Sequence, residues 1–195
     1  MARIRRHSVT EIHSESEFTH PSAWCPDPGL WHAADGDSAE LEVTALVASF
    51  IRALKPESVI ETGTAFGQTA EAIGLALRDN GRGWLVTLEP DQERARISRE
   101  RCMNLPVTIE EVQSLEFTPS APVDFLWLDS LLHLRVSELR RFRPYASSGC
   151  VVGFHDTGPL HGLRPHVDQL WSEGLITQPL YLRTPRGVCF TGIGD

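Results

Sequence analysis

Short apolar runs in this chain end on residues that can bind or move charge. In Val59-Ile60-Glu61-Thr62-Gly63-Thr64-Ala65-Phe66-Gly67, two β-formers run into Glu61, and glycines at 63 and 67 follow before a helix-compatible stretch over 68–73. That order reads as strand, tight turn and helix start. The turn lets a nucleotide-like ligand approach bare backbone at Gly63, Thr64 and Gly67, and the helix start offers free N–H groups. A carboxylate at Glu61 would gain nothing against a pyrophosphate but would attract an ammonium group. The run 85–88 ends on Glu89, whose carboxylate can accept hydrogen bonds from both hydroxyls of a ribose. Beside Pro90, Glu89 would equally suit a helix start as an acid facing the dipole. Gln113 and Ser114 follow a third run and could edge an adenine or simply form a loop. The run 124–128 ends on Asp129, and 150–154 ends on His155-Asp156. Asp156 could fix the His155 tautomer and raise its basicity, making His155 a general base; a hydrogen-bonded structural histidine is the other reading.

These residues need a scaffold that brings strand ends together. Strand-like runs at 58–61, 84–88, 107–112, 123–128 and 150–154 alternate with helical segments near 67–79, 91–103 and 134–142. Such alternation predicts a parallel sheet with helices on both faces, whose ligands sit beyond the carboxyl ends of the strands. A helix near 163–173 and strands over 176–183 and 187–192, joined by the turn Thr184-Pro185-Arg186-Gly187, predict an antiparallel hairpin at the sheet edge. The expected fold is thus α/β: Rossmann-like, doubly wound, with a mostly parallel seven-stranded sheet and a C-terminal antiparallel hairpin.

Residues 1–36 read as an irregular N-terminal arm and 37–195 as the domain. Trp24 and Trp31 suggest that part of the arm packs on the domain, and Trp31–Asp35 could lid a pocket. Asp37-Ser38-Ala39-Glu40 resembles a capping box, with Asp37 as N-cap and Glu40 reaching back. Arg135, Arg140, Arg141 and Arg143 crowd one helical segment and read as a solvated face. His133, His161 and His166 read as loop or helix-surface residues.

Composition sets outer bounds. A chain of 195 residues with 41% hydrophobic and 23% charged residues fits one globular domain. The net charge of −8 argues against a nucleic-acid backbone as partner, and Arg3, Arg5 and Arg6 read as a solvated tail. No apolar run approaches the roughly 18 residues of a membrane span, and no secretory leader is evident. Cys25, Cys102, Cys150 and Cys189 are widely spaced, as expected of reduced, buried thiols rather than a zinc site. A cytoplasmic location is the expectation, and edge strands with an apolar arm leave a homodimer open.

The segments 59–67, 85–91, 111–114, 123–129 and 149–156 together resemble the motif series of class I S-adenosylmethionine-dependent methyltransferases. The family's acid-x-Gly-x-Gly-x-Gly is here Glu61-x-Gly63-x-Ala65-x-Gly67, with alanine at the middle glycine. The resemblance implies that Gly63 and Gly67 face the methionine part of S-adenosylmethionine, that Glu61 helps hold its ammonium group, and that Glu89 binds its ribose. Thr64, Gln113, Ser114 and Asp129 complete the implied cofactor set. His155-Asp156-Thr157 is similar to the ending of the fifth strand in a small O-methyltransferase-like branch. Some relatives there bind a divalent metal, and by position the ligands fall on Asp129, His155 and Asp156, which could hold Mg²⁺ or Mn²⁺. Where such relatives carry a catalytic lysine or histidine, this chain has Leu132, with His133 next. The resemblance therefore implies transfer of a methyl group to a small hydroxylated metabolite, with His155, Asp129 and Asp156 deprotonating the acceptor. A module that holds the cofactor without transfer is an alternative. An NAD-linked dehydrogenase is a further one, disfavoured by the glycine spacing and by Glu61.

Overall fold

A computed structural model describes residues 20–194; Arg3, Arg5 and Arg6 lie outside the described residues. These described residues form five α-helices and seven strands, in the order α1 (Leu41–Leu54), β1 (Ser58–Thr62), α2 (Gln68–Asn80), β2 (Trp84–Leu88), α3 (Gln92–Arg101), β3 (Val107–Glu110), β4 (Val123–Leu128), α4 (Arg135–Phe142), β5 (Ala146–His155), α5 (Arg164–Ser172), β6 (Leu180–Leu182) and β7 (Val188–Gly192). The sheet order is β3-β2-β1-β4-β5-β7-β6. The first five strands pair in parallel, and β7 runs antiparallel to both β5 and β6. This is the expected Rossmann-like sheet with its C-terminal hairpin. The hairpin is shorter than its apolar run suggested, because Ile176 makes only an isolated bridge to Ile193 before the chain re-enters the sheet at Leu180.

Side-chain alternation along each strand builds two cores. Val59, Leu85, Phe125 and Trp127 join Val43, Val47, Ile51, Ile73 and Leu77 of α1 and α2 on one face. Ile60, Leu88, Leu126, Leu128 and Phe154 join Leu139, Phe142, Val167 and Leu170 of α4 and α5 on the other. Both faces being covered is why the parallel strands read as continuous apolar runs. Lys55 at φ 52° and Gly81 at φ 68° end α1 and α2 in the left-handed conformation. Asp91 caps α3, its carboxylate accepting the Arg94 N–H at 2.9 Å.

The capping box does not form. Helix α1 starts at Leu41 with no side-chain cap bond, and Glu40, fully buried, points across the domain instead. Trp24 packs on the hairpin side, its indole N–H donating to Thr184 O at 2.9 Å. All four cysteines are buried and free. Among the described residues, no helix is long and apolar enough to cross a membrane.

Candidate functional site

The sheet order changes direction between β1 and β4, and the strand tips there are drawn together by hydrogen bonds beyond the strands. The Asp129 N–H donates to Thr62 O at 3.0 Å, and the Gly63 N–H to Leu88 O at 3.1 Å. Gly63 has φ +81°, and a Cβ there would lie 2.5 Å from Asp129 O. Glycine is thus required at 63 by the backbone of the β4 loop, a constraint separate from any ligand. At Ala65 the chain takes φ 47°, a conformation that costs a non-glycine residue about 1–2 kcal/mol. Its N–H then donates to Glu89 Oε2 at 2.9 Å, while the Asp91 N–H donates to Glu89 Oε1 at 3.0 Å. Two backbone donors from different loops so fix the Glu89 carboxylate.

A cavity of about 430 Å³ opens at these carboxyl ends, within the range of small-molecule sites. Of the residues expected to bind cofactor, Gly63, Glu89, Gln113, Ser114 and Asp129 line it. Glu61, Thr64 and Gly67 do not. Glu61 is buried beneath the turn, where Thr87 Oγ1 donates to its Oε2 at 2.5 Å and stands 2.5 Å from Thr64 Oγ1. Burial pushes the Glu61 carboxyl up to about 8; the charges of Asp129 and Glu89 add to this, and the Thr87 hydrogen bond opposes it. Gly67, at φ +78°, caps α2 and packs against Ser98.

The ends of β4 and β5 meet in a buried ionic cluster. His155, with no exposed surface, lies 2.6 Å from Glu40 Oε2 through Nε2 and 3.0 Å from Asp129 Oδ1 through Nδ1. Burial would lower its pKa, but the charges of Asp129, Asp156 and Glu40 outweigh burial and raise it to about 10. Burial likewise opposes ionisation of Glu40, yet the His155 charge and the Arg186 backbone N–H hold it at about 2. His155 is therefore an imidazolium donating from both nitrogens, whereas a general base needs a bare ring nitrogen facing its substrate. Asp156, left-handed at φ 58°, accepts from Arg135 Nη2 through Oδ2 and from Arg186 Nε through Oδ1, each at 2.6 Å. Arg135 Nη2 also reaches Asp129 Oδ1 at 3.1 Å, and its Nη1 donates to His155 O. Burial resists the Asp156 charge, but His155, Arg135 and Arg186 hold that carboxyl well below its ordinary range.

Several members of this site escape a reading of the sequence. Arg135, expected on a solvated face, is 2% exposed, while its neighbours Arg140 and Arg141 do remain at the surface. Arg135, Glu138, Leu139 and Phe142 all fall on the buried face of α4. Their spacing of three, four and seven residues was the available signal: a charged residue in register with an apolar stripe points inward. Glu138 accepts hydroxyl bonds from Thr62, Ser130 and Ser114, tying together the end of β1 and the loops after β3 and β4. Glu40 and Arg186 offered no such signal, since only folding brings them to His155 and Asp156. Arg186 arrives because Gly187 packs on Gly158, where the Thr157 and Gly158 N–H groups bond the hairpin turn. His161, expected at the surface, is buried with Nε2 3.8 Å from Asp156 Oδ1. His133 is exposed, and Leu132 lines the cavity.

Asp129, His155 and Asp156 do converge, each offering a ligand atom within 4.8 Å of the others. The donor set nevertheless does not fit a divalent ion. Both Asp156 oxygens and Asp129 Oδ1 already accept guanidinium N–H groups, and both His155 nitrogens already face a carboxylate oxygen, of Glu40 and of Asp129, that a metal would have to displace. Arg135 and Arg186 supply the compensating charge instead.

Residues 60–157, a little over half of the chain, match the model of a family described as "Methyltransferase domain". The chain belongs to this methyltransferase domain family. Among solved structures it is similar to the SAH-bound methyltransferase PaMTH1 of Podospora anserina, with a TM-score of 0.72 at 19% identity over 84% of this chain and 83% of that one. It is also similar to an O-methyltransferase from Bacillus cereus in complex with SAH, with a TM-score of 0.68 at 16% identity over 82% and 84%. The O-methyltransferase TomG from Streptomyces achromogenes, involved in tomaymycin synthesis and in complex with SAM, gives 0.69 at 16% over 82% and 83%. At these identities the likeness is one of fold. A search of curated proteins returns no match.

Proposed function

We propose that this protein is an S-adenosylmethionine-dependent methyltransferase that methylates an oxygen of a small hydroxylated metabolite. The observation that carries the reading is Glu89 at the end of β2, fixed by the Ala65 and Asp91 N–H groups and facing the cavity beside Gly63. A carboxylate fixed this way presents acceptors for two adjacent ribose hydroxyls. Gln113 and Ser114 extend the same wall, where an adenine edge would lie. Glu61 does not line the cavity, and we assign it to supporting the turn from beneath through Thr87. The bound cofactor supplies a methyl on an electron-poor sulfonium, so the protein mainly has to align an acceptor oxygen with it. Asp129 stands at the wall with Oδ1 held by Arg135 and His155. We assign His155 and Asp156 to holding Asp129, Arg135 and Arg186 in place, and we assign no divalent metal to the reaction. The match to the methyltransferase domain family and the SAM- or SAH-bound state of similar folds support this reading.

Titration calorimetry with S-adenosylhomocysteine (SAH) tests it. Binding is expected, with at least a tenfold loss in Glu89→Ala, about 1.4 kcal/mol. Absence of heat with both SAH and S-adenosylmethionine would sink the proposal. A cofactor-holding module without transfer is the second reading. Leu132 favours it, since relatives of the O-methyltransferase-like branch carry a base there. Methyl transfer to any acceptor excludes it.

A further inference from the structure

The cavity wall includes three arginines, Arg94, Arg135 and Arg186. Among the described residues that line it there is no histidine, lysine, cysteine or tyrosine. Side chains able to take a proton near neutral pH are therefore missing from the wall. His155 is closed off on both sides, by Glu40 at 2.6 Å and Asp129 at 3.0 Å. The carboxylates on the wall are largely committed. Glu89 accepts two backbone N–H groups, Asp156 two guanidinium groups, and Asp37 pairs with Arg94 at 2.9 Å. Asp129 keeps Oδ2, but a carboxylate is a poor base toward a hydroxyl as weakly acidic as water.

Cationic donors, by contrast, remain. Arg186 gives Nε to Asp156 at 2.6 Å and Nη1 to Ser38 O at 3.3 Å, and among the described residues its Nη2 has no hydrogen-bond partner. Guanidinium stays charged at any working pH and matches the geometry of an oxyanion. Leu131, Leu132 and Leu134 make part of the same wall apolar.

We propose that the methyl acceptor enters already ionised: an organic anion with an apolar body and an acidic oxygen, phenolic, enolic or carboxylic, held toward Arg186. The inference rests on the cofactor reading above and narrows its hydroxyl to an acidic one. A lone pair of the acceptor oxygen forms the new O–CH₃ bond, while the S–CH₃ bond breaks and its electron pair stays on sulfur. The acceptor anion and the sulfonium cation become a neutral ether or ester and a neutral thioether. No proton is transferred, so neither a base nor a metal is required.

The test loads the protein with SAH in EDTA and compares binding of benzoate, 4-nitrophenolate and the uncharged benzyl alcohol. With S-adenosylmethionine it then follows SAH release from each probe. At least one anion should bind tenfold or more tighter than benzyl alcohol and be methylated, and the two anions separate a carboxylate from a phenolate acceptor. In Arg186→Gln the anion's affinity should fall at least tenfold while SAH affinity changes less than twofold. If that variant does not fold, the wild-type comparison still decides. Equal or better binding or methylation of benzyl alcohol overturns the proposal and leaves the cofactor reading standing. Binding of neither anion to a protein that binds SAH overturns it as well. Failure to bind SAH overturns both.

Discussion

His155 sits among five other ionisable side chains, Glu40, Asp129, Asp156, Arg135 and Arg186, and this placement decides what its removal would do. Taking away one partner of a buried ion pair leaves the others uncompensated. His155→Ala should therefore destabilise the fold by about 3–5 kcal/mol in urea denaturation; an unchanged midpoint would mean that the cluster is not ionised as described. Glu61 makes a second prediction, one of pH. Its carboxyl is raised in the folded protein from an ordinary 4.5 to about 8, so folding favours the protonated form. That contribution is complete below pH 4.5 and is lost as pH rises through about 8. Unfolding free energy should fall across that window in wild type, and Glu61→Gln should flatten this limb of the curve. A limb of equal slope in the variant would assign the pH dependence to other groups.

The β1–α2 turn is the element on which the cavity depends, and its two unusual residues act in opposite directions. Gly63 has no substitute, because a Cβ would meet Asp129 O at 2.5 Å in a left-handed conformation. Gly63→Ala should cost at least about 2 kcal/mol of stability. Ala65 shares the left-handed region without needing a side chain there. Replacing it by glycine removes strain of about 1–2 kcal/mol and adds some chain entropy to the unfolded state. Ala65→Gly should thus raise the denaturation midpoint, by a net of about 0.5–1 kcal/mol, and a lower midpoint would contradict the strain. The turn was legible in the sequence because glycine spacing, β-branched residues and the following helix are all local signals. Helix α4 was only half legible. Its length was visible, but Arg135 and Glu138 face inward with Leu139 and Phe142, and a cluster of arginines obscured that phase.

At the scale of the whole molecule, the loops after β1, β2, β4 and β5 share one cavity with the segment before α1 and the turn before β7. A ligand binding there stabilises all of these together. SAH at one hundred times its dissociation constant should add about 2.7 kcal/mol, which is a rise of roughly 5–10 °C in melting temperature for a domain of this size. Adding EDTA or Mg²⁺ should leave that rise unchanged, since Arg135 and Arg186 already neutralise Asp156. A metal-dependent increment in the melting curve would argue for ligation that displaces them.

By itself the sequence determined the alternation of strands and helices, the antiparallel hairpin, the glycine turn and the acids at the strand ends. All of these are written in short-range patterns of size, polarity and backbone preference. It also placed Asp129, His155 and Asp156 at neighbouring strand ends, because parallel order follows from the alternation. What those three residues do was decided only by the tertiary structure. Glu40 reaches His155 from 115 positions away, and Arg186 reaches Asp156 from 30. Charge acts through space rather than along the chain, and three residues that read as a base and metal ligands become a neutralised ionic cluster when distant carboxylate and guanidinium groups fold onto them.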